Sequence, residues 1–368
     1  MRMLVFALSG IGDALMFTPA LALLKEHFPE AEVDVVAMFP GVRELYERHP
    51  GVHRVWFWEF LREPLWRSLR FLWGLRRAGY DIALSVYPAN RWEYNVMLWL
   101  TGAPLRVGHR YNHVDFQQLN WLKNRTVRED DRLHNVEENV RLVSLLGVPV
   151  PPELPPLQVF FRDDDLRAAD LWYAEQGIPA DAYCVGFHAG SAVFKNHIRR
   201  RWAPERFAGL AARLIREWDA WVLLFGAGAE EELNERIRER VAVPERCRVV
   251  RSASLMVSAA IMRRCRLFVS NDSALMHMAA ALRLPTVAIF AYTNPAYVRP
   301  WKVPHEIVRR ELACSPCFYY SPRPAQCRWS GENAFMCIGS ITVEEVWDAC
   351  RRLRSRVERC SPEGSRLP

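Results

Sequence analysis

Residues 269–290 read Val269-Ser-Asn-Asp-Ser-Ala-Leu-Met-His-Met-Ala-Ala-Ala-Leu-Arg-Leu-Pro-Thr-Val-Ala-Ile-Phe290. An apolar strand, a short polar turn, a helix of small residues and a second apolar strand follow one another, which is the order of a parallel β-α-β unit. Open α/β sheets bind ligands at the carboxyl ends of their strands. Asp272 and Ser273 are suited to cap the helix, and His277 follows one helical turn later on the same side. The positive helix end predicts a site for a phosphorylated ligand.

The N-terminus repeats this arrangement. Residues 3–9 predict a strand, Gly10 to Asp13 predict a tight turn, and residues 14–28 predict a helix. Gly10 and Gly12 would let the backbone turn sharply and let a ligand approach closely. Each site alone is also compatible with an ordinary helix cap. Two such sites, one in each half of the chain and each with an acid, favour ligand binding.

Composition is that of an ordinary globular protein. The chain has 368 residues, 50% of them hydrophobic and 25% charged, a length that suits two domains. The formal net charge of +7 favours an anionic substrate or surface, and no nucleic-acid recognition motif accompanies it. Glycines and Asp13 interrupt the N-terminal apolar run, so we interpret it as strand and helix instead of a secretion signal. No apolar run reaches transmembrane length, and we predict a cytoplasmic protein.

Alternating strands and helices predict two doubly wound, Rossmann-like α/β domains that face one another across a central cleft. The proline-rich stretch Pro149-Val-Pro-Pro-Glu-Leu-Pro-Pro156 separates two halves that each restart the β-α pattern. Short apolar runs in both halves are typical of strands covered by helices on both faces. We therefore predict an N-terminal domain over residues 1–150, a linker over 151–165, a C-terminal domain over 166–342, and a last helix over 343–360.

Six motifs lie in one order along the chain. They are Gly10-Ile-Gly-Asp-Ala-Leu-Met-Phe-Thr-Pro-Ala-Leu21, His188-Ala-Gly-Ser191, Arg200-Arg-Trp-Ala-Pro-Glu-Arg-Phe207, Phe225-Gly-Ala-Gly-Ala-Glu-Glu231, residues 270–281 and Thr293-Asn-Pro295. With these motifs the chain resembles glycosyltransferase family 9, the ADP-heptose:lipopolysaccharide heptosyltransferases. The resemblance implies the GT-B architecture and an inverting transfer of heptose from ADP-heptose to a lipopolysaccharide-core or related glycan. As in many GT-B enzymes, it also implies that the last helix, residues 343–360, packs back on the first domain.

Inverting transfer needs a base for the acceptor hydroxyl and stabilisation of the departing diphosphate. Asp13 corresponds to the base proposed for the family. Its residue pattern alone equally fits a side chain that fixes the turn. Asp163-Asp-Asp165 is the nearest candidate for an Asp-x-Asp metal motif, but it is typical of a helix start. We therefore predict no metal cofactor for catalysis.

The resemblance also places donor contacts in the second half. Arg200 aligns with a phosphate-binding lysine of the family and Ser191 with a phosphate-contacting hydroxyl. Lys195 and Arg201 belong to the same basic cluster, for which a solvated loop is the alternative interpretation.

Further residues of the second half are predicted to serve the donor. By the resemblance, Glu230 or Glu231 accepts hydrogen bonds from the adenosine ribose, and Asp272 with Ser273 holds the sugar or its phosphates. His277 supports that turn from behind, and an ordinary buried histidine is the alternative.

The acceptor is assigned to the first half. Residues 85–120 interleave aromatic and basic side chains, of which Asn90 and Arg91 are the selected candidates for a phosphorylated or acidic glycan. Residues 56–77 combine tryptophan and phenylalanine with five arginines. This pattern fits either an amphipathic helix packed on the sheet or peripheral contact with the inner membrane, where a lipid-linked acceptor would reside.

Four of the nine cysteines form a cluster at Cys314, Cys317, Cys327 and Cys337. In a cytosolic protein such a set favours metal or redox chemistry over disulfides, although the spacing matches no common zinc module. We consider structural iron or zinc against free, partly buried thiols.

Three functions therefore compete. They are a family 9 heptosyltransferase, a related transferase with another nucleotide sugar or a protein acceptor, and a non-catalytic GT-B binding protein with a cysteine-bound metal. Asp13, Asp272 and the basic cluster favour an enzyme.

Overall fold

The chain divides after Phe160 in the computed structural model, which describes residues 1–113, 115–228, 230–319 and 324–360. Residues 1–160 form unit 1; residues 161–319 and those from 324 onward form unit 2. The division lies inside the predicted linker 151–165. Helix formation resumes at Asp163, where Asp165 accepts a hydrogen bond from the backbone N–H of Arg162 in a capping box.

Unit 1 is a six-stranded parallel sheet with helices on its connections. Its strands are β1 (Arg2–Ala7), β2 (Glu32–Ala37), β3 (Arg54–Phe57), β4 (Ile82–Ser85), β5 (Leu105–Arg110) and β6 (Arg125–Arg128). Its helices are α1 (Ile11–His27), α2 (Pro40–Tyr46), α3 (Leu65–Arg77), α4 (Trp92–Leu100) and α5 (Asn135–Ser144), with short 3-10 helices at Asp115–Gln118 and Asn120–Leu122. The strand order β3-β2-β1-β4-β5-β6 is that of a Rossmann sheet.

Unit 2 repeats this topology. Its strands are β7 (Cys184–His188), β8 (Trp221–Leu224), β9 (Cys247–Val249), β10 (Cys265–Asn271), β11 (Thr286–Ile289) and β12 (His305–Val308). Its helices are α6 (Asp163–Glu175), α7 (Pro204–Trp218), α8 (Glu230–Glu239), α9 (Leu255–Met262), α10 (Ala274–Ala281), α11 (Pro295–Val298), α12 (Met336–Gly339) and α13 (Val343–Cys360), with 3-10 helices at Phe194–Arg200, Pro244–Arg246 and Gly331–Asn333. The order β12-β11-β10-β7-β8-β9 again places the first strand of the unit beside its fourth.

The central strands are buried on both faces, as their short apolar runs predict. Every residue of β7, β8 and β11 is buried, and β10 and β11 pair in parallel around α10. The predicted β-α-β unit is therefore present. Helix α13 packs on β11, β12 and α7 of its own unit. Its predicted packing on the first domain stays a prediction.

The N-terminal glycine turn differs from the prediction. Helix α1 begins at Ile11, so Gly10 is its N-cap and Gly12 and Asp13 lie in its first turn. Gly10 has an ordinary negative φ of −71°, and nothing lies within 4 Å of the position that a Cβ would take there. The prediction of a turn over Gly10 to Asp13 was wrong, because residues 11–13 already belong to the helix. The open space at Gly10 still allows close approach of a ligand.

Helix α1 continues through Pro19, which cannot donate the usual hydrogen bond. The hydroxyl of Thr18 donates to the carbonyl oxygen of Leu15 at 2.7 Å and so satisfies the acceptor that the proline leaves. The same hydroxyl accepts from the backbone N–H of Gln158 at 2.9 Å. This pair of bonds fixes the end of the unit 1 chain on its first helix. Within the described residues, none of the helices is both long and apolar enough to cross a membrane.

Candidate functional site

Most of the predicted donor-binding residues lie at the carboxyl edge of the unit 2 sheet. Strands β7 and β10 end side by side there, with Ser270 opposite His188 in register. From β7 the chain proceeds to β8 and β9 on one side, and from β10 to β11 and β12 on the other. The loops after the two central strands therefore diverge. Such a switch point is where open α/β sheets bind ligands.

His188 joins two of the predicted donor residues. Its Nδ1 lies 2.7 Å from Ser273 Oγ, and its Nε2 lies 3.1 Å from Glu230 Oε2. Burial raises the pKa of Glu230, but the hydrogen bond from His188 and the charge of Arg201 outweigh it, so this pKa lies below its ordinary value. An ionised carboxylate only accepts, so Nε2 donates to Glu230, and in the neutral ring Nδ1 accepts from the hydroxyl of Ser273.

Two glycines leave room for the Glu230 carboxylate. A Cβ at Gly190 would collide with the carboxylate oxygens, and a Cβ at Gly226 would lie 2.9 Å from the Glu230 Cβ. Gly226 also has a φ of +153°, which side-chain-bearing residues rarely adopt. The motif glycines after β7 and β8 therefore serve to seat Glu230 over the strand ends.

The turn after β10 is held by ion pairing and not by the predicted cap. Asp272 Oδ2 accepts from Arg200 Nη1 at 2.7 Å and from Thr293 Oγ1 at 2.6 Å. Ser273 occupies the N-cap position of α10, but its side chain makes no cap hydrogen bond. The prediction that Asp272 and Ser273 cap the helix was wrong, because both side chains bind groups from other loops. Among the described residues, no side chain consequently caps the amide N–H groups of the first turn of α10.

Arg201 ties the loop after β7 to the same carboxylate. Its Nε donates to Ser191 Oγ at 3.1 Å, and its Nη2 lies 3.5 Å from Glu230 Oε1. The hydroxyl of Ser191 donates in turn to the carbonyl oxygen of His197 at 2.9 Å. The backbone of Lys195 lies in the neighbouring 3-10 helix, whereas its side chain lies outside the part of the chain that the structure describes.

His277 is buried behind this turn on α10. Burial lowers the pKa of His277 to about 4. The charge of Asp272 raises this pKa by a smaller amount and the charge of Arg200 lowers it, so the ring is neutral at physiological pH. Among the described residues its Nδ1 has no hydrogen-bond partner. A neutral, buried ring adds no positive charge for a phosphate. A supporting position fits this environment, and a direct donor contact stays a prediction.

These contacts leave the charges of this edge nearly balanced. Arg200 is paired with Asp272, and Arg201 with Glu230. An anionic ligand would therefore meet amide N–H groups at the start of α10 and the remaining N–H groups of two fixed guanidinium groups. The preformed Glu230 carboxylate adds an acceptor for neutral hydroxyls. Together these groups suit a nucleoside diphosphate.

Asp13 in unit 1 lies among tyrosines. The pKa of Tyr46, Tyr94 and Tyr111 is raised, in each case mainly by burial, and the negative charge of Asp13 contributes to all three shifts. Arg91 acts on Tyr94 as well, in the opposite direction. The charges of Asp13 and Arg91 thus both act on Tyr94.

The two selected acceptor residues differ in exposure. Asn90 is buried, whereas Arg91 is half-exposed and pairs with Glu93 at 2.9 Å. That hydrogen bond raises the pKa of Arg91. Arg91 thus presents a guanidinium group fixed by Glu93, and its acceptor role stays a prediction.

Much of the aromatic and basic stretch between residues 85 and 120 is structural. Tyr87 is buried and donates through its hydroxyl to Glu129 Oε2 at 3.0 Å. His109 lies 3.0 Å from Glu138, and both side chains are buried. Burial raises the pKa of Glu129 to about 7 despite hydrogen bonds from Asn112 and Tyr87. This buried network was not predicted, because nothing near Glu129 in sequence marks it.

Two residues of the unit 2 site were missed as individual contacts, although both lie in quoted motifs. His188 ends β7 and joins Ser273 to Glu230, and Thr293 binds Asp272. The position of His188 at the start of its motif was the available signal. The role of Thr293 depends on β11 lying beside β10, so the predicted β-α-β unit was the available signal.

The four clustered cysteines lie near one another. Burial raises the pKa of Cys337 to about 11, and the charges of Cys317, Cys327 and Cys314 raise it further. No three His, Cys, Asp or Glu side chains in the described part of the chain are placed to hold a metal ion. Cys327 Sγ instead accepts from the backbone N–H of Phe335 at 3.3 Å.

Comparison with known proteins places this site in a family. The sequence profile of glycosyltransferase family 9 (heptosyltransferase) matches residues 68–326, more than half of the chain. Lipopolysaccharide heptosyltransferase 2 of Salmonella typhimurium is 28% identical over 324 residues, which cover 84% of this chain and 88% of that protein.

Solved structures agree on the fold. The Escherichia coli ADP-heptose lipopolysaccharide heptosyltransferase II superposes with a TM-score of 0.74 and 24% identity, covering 97% of this chain and all of that one. The iron-containing dodecameric glycosyltransferase TibC of enterotoxigenic E. coli superposes with a TM-score of 0.56 and 15% identity, covering 97% of this chain and 77% of that one. At these identities the likeness shows the fold alone.

Two Rossmann-like sheets, the second with polar side chains gathered at its switch point, have the GT-B fold of the solved heptosyltransferase II. The chain belongs to glycosyltransferase family 9 (heptosyltransferase). The predicted family, fold class and enzyme class are confirmed.

Proposed function

We propose that this enzyme transfers a heptosyl group from ADP-heptose to a lipopolysaccharide-core or related glycan acceptor, with inversion at the anomeric carbon. Membership of a heptosyltransferase family and the names of its relatives support the proposal. The observation that carries it is the Glu230 carboxylate, which His188 and Arg201 hold beside the uncapped start of α10. A carboxylate next to an anion-binding helix end matches the two parts of a nucleoside diphosphate, its ribose and its phosphates.

The donor residues divide by chemistry. Glu230 accepts from the ribose hydroxyls, since its own charge is already balanced by Arg201 and it needs no cation from the ligand. Arg200, Arg201, Lys195 and Ser191 stabilise the diphosphate as it gains charge on departure. Asp272, with Ser273 and His277 behind it, keeps Arg200 in position.

Asp13 serves as the base that takes the proton from the acceptor hydroxyl. Its place in the first turn of α1, after the open Gly10 position, leaves space for a sugar hydroxyl to approach. Asn90 and Arg91 hold the acceptor, with Arg91 directed at a phosphate or carboxylate group. The arginines and the helix end supply the positive charge that the leaving group needs, and transfer is expected to continue in the presence of EDTA.

Calorimetric titration tests the donor first. ADP-heptose is titrated into the purified protein, with UDP-, GDP- and dTDP-sugars as comparators. Selective binding of ADP-heptose supports the proposal. Preference for another nucleotide sugar would replace the donor but keep the enzyme class, and binding of none of them would favour a non-catalytic protein.

The structural iron or zinc predicted for the cysteines stays a prediction. The thiols are neighbours but not at ligand geometry, and thiols with raised pKa values must lose protons before they bind metal. Metal analysis of the purified protein decides it. About one iron or zinc per chain, lost in the Cys317→Ser/Cys337→Ser variant, supports a site, whereas metal-free protein with full activity excludes one.

We also propose that the enzyme works in the cytoplasm in peripheral contact with the inner membrane. A lipid-linked acceptor would lie there, and residues 56–77 contain the pattern that first indicated contact. The structure divides that segment, because Trp56, Phe60 and Phe71 pack on the core of unit 1.

A further inference from the structure

Helix α3 is apolar on two sides. Ser68, Leu72 and Leu75 are buried against unit 1. A second set faces outward: Leu65 is 74% exposed, Trp66 61% and Trp73 56%. At about 100° per residue, Leu65, Leu69, Trp73 and Trp66 fall within about 100° of one another around the helix, outside the buried sector. A helix that only packed on a sheet would be polar on this side.

The same side of unit 1 exposes more aromatic residues. Helix α3 joins β3 to β4, α4 joins β4 to β5, and the 3-10 helices Asp115–Gln118 and Asn120–Leu122 join β5 to β6. All three connections move in one direction across the parallel sheet, so right-handed crossovers place them in one layer. The contacts of α4 with α3 and with both 3-10 helices confirm this layer.

We call the exposed large apolar residues of this layer the aromatic face. They are Leu61, Leu65, Trp66, Leu69, Trp73, Trp92, Trp99, Phe116 and Trp121. Phe116 is 99% exposed and Trp121 76% exposed, so the short helices project their rings fully. Exposed apolar residues scattered singly are normal, but so many in one layer mark an interaction site.

Positive charge borders the aromatic face. Helix α3 contains four arginines and no acidic residue. Arg67 pairs with Glu63, but within the described residues no carboxylate forms an ion pair with Arg70, Arg76 or Arg77. On the helix, Arg70 and Arg77 lie next to the sector of Trp66 and Trp73. The face therefore combines tryptophan with unpaired cations.

We propose that the aromatic face binds the surface of a bilayer that contains anionic glycerophospholipids. Tryptophan prefers the membrane interface because its ring is apolar while its N–H is polar. Arg70 and Arg77 lie where lipid phosphates would meet them. Since α3 cannot span a bilayer, it lies along the surface with its outward stripe in the headgroup region. This inference rests on the proposed function for its purpose, since it brings the acceptor half to the lipid.

Vesicle cosedimentation of the full chain tests the proposal. The probes are phosphatidylcholine vesicles with and without phosphatidylglycerol. Wild-type protein is expected to sediment with the anionic vesicles, and salt should weaken the binding. Trp66→Gln/Trp73→Gln should lower the partition coefficient by at least about tenfold because two buried ring contacts are lost. Arg70→Gln/Arg77→Gln should lower it by about fivefold per arginine.

Matched controls come from unit 2. Trp329→Gln removes an exposed tryptophan, and Arg236→Gln removes an exposed arginine, both outside the aromatic face. Neither should change the partition coefficient. Three outcomes would overturn the proposal: equal binding to neutral and anionic vesicles, unchanged binding of the face variants, or no vesicle binding. Self-association that Trp66→Gln/Trp73→Gln abolishes, without vesicle binding, would instead identify the face as a contact between copies.

Donor titration of the same variants separates this inference from the proposed function. ADP-heptose affinity depends on unit 2 residues, so the face variants should retain it if they are folded. Vesicle binding without ADP-heptose binding would keep the aromatic face and overturn the donor. ADP-heptose binding without vesicle binding would support the proposed donor and overturn the membrane role of the aromatic face.

Discussion

The two units treat their buried charges differently. In unit 2, Asp272 is paired with Arg200, and Glu230 with Arg201 and His188. In unit 1, Glu129 accepts hydrogen bonds from the hydroxyl of Tyr87 and the backbone N–H of Asn112, and no cation pairs with it among the described residues. Both carboxylates are largely shielded from water, yet the pKa of Glu230 is lowered while that of Glu129 is raised.

The difference teaches what each environment is built to do. Pairing with fixed cations keeps Glu230 ionised, which suits repeated binding of a polar ligand. Burial among neutral hydrogen-bond donors raises the pKa of Glu129, so this side chain keeps its proton to a higher pH than an exposed glutamate does. A charged site thus lies at the unit 2 sheet edge, whereas the unit 1 network is a structural one. In unit 1 we expect Asp13, in the first turn of α1, to have a catalytic role instead of a structural one.

Replacing Asp13 should give the largest effect. Asp13→Ala is expected to reduce kcat by roughly 10²- to 10⁴-fold, the range for loss of a general base. Calorimetric affinity for ADP-heptose should remain within about twofold, because the donor residues lie in unit 2. Asp13→Asn is the matched variant, which keeps the shape but not the base. Parallel loss of donor binding and turnover would make Asp13 a structural residue like Glu129.

Adding one methyl group at Gly190 should have the second largest effect, by disrupting the unit 2 site. A Cβ there meets the Glu230 carboxylate, so Gly190→Ala must displace that carboxylate from His188. We expect ADP affinity to fall by roughly 10- to 100-fold, the cost of losing hydrogen bonds to a charged group. Gly209→Ala is the control, since its Cβ would only touch Val343 at 3.5 Å. Equal ADP affinity in both variants would show that Glu230 does not contact the nucleotide.

Arg200→Ala should weaken ADP binding by about tenfold through loss of a phosphate contact. It also removes the partner of Asp272, so Arg200→Lys serves as the comparison that keeps a charge. Calorimetry of ADP and of adenosine separates the two roles. A phosphate contact predicts lost affinity for ADP only, whereas equal loss for adenosine would mean that Arg200 acts only by holding the turn.

The sequence reveals the central strands more clearly than the edges. The runs that became β7, β8, β10 and β11 are apolar because both of their faces are covered. Edge strands such as β6, Arg125-Thr-Val-Arg128, and β12, His305-Glu-Ile-Val308, carry charged residues and were not predicted. Their pairing depends on neighbours distant in sequence. Sheet order therefore came only from the structure.

The candidate site shows the same limit. Motifs identified Asp272, Ser273, Glu230 and Arg200 because chemistry-bearing residues follow strand ends. Their partners could not be predicted, since the contact of Ser273 with His188 spans 85 positions in the chain. The capping prediction was wrong because the side chains of Asp272 and Ser273 bind Thr293 and His188, which lie in other parts of the chain. Likewise, α1 begins at Ile11 without a side-chain cap, so no local signal marked its start.

The pH dependence of stability tests the contrast between Glu129 and Glu230. Burial raises the pKa of Glu129 from an ordinary 4.5 to about 7, so the folded state holds this proton more tightly than the unfolded state. The stability that it contributes is therefore complete below about pH 4.5 and is lost as the pH rises through about 7. Glu129→Gln mimics the protonated form. At pH 8 it should gain on the order of 3 kcal/mol, or roughly 10 °C in Tm, and at pH 5 less than about 1 kcal/mol.

The difference in Tm between variant and wild type from pH 5 to 8 is the measurement. The wild-type curve alone does not suffice, because burial lowers the pKa of Lys123 to about 7 in the same unit. Exposed Glu175→Gln makes the same chemical change outside the network and should give a flat difference. A Glu129→Gln variant that loses stability equally at every pH would show an ionised, stabilising carboxylate. Glu129 in unit 1 would then be ionised and stabilised by its hydrogen-bond partners, as Glu230 is in unit 2.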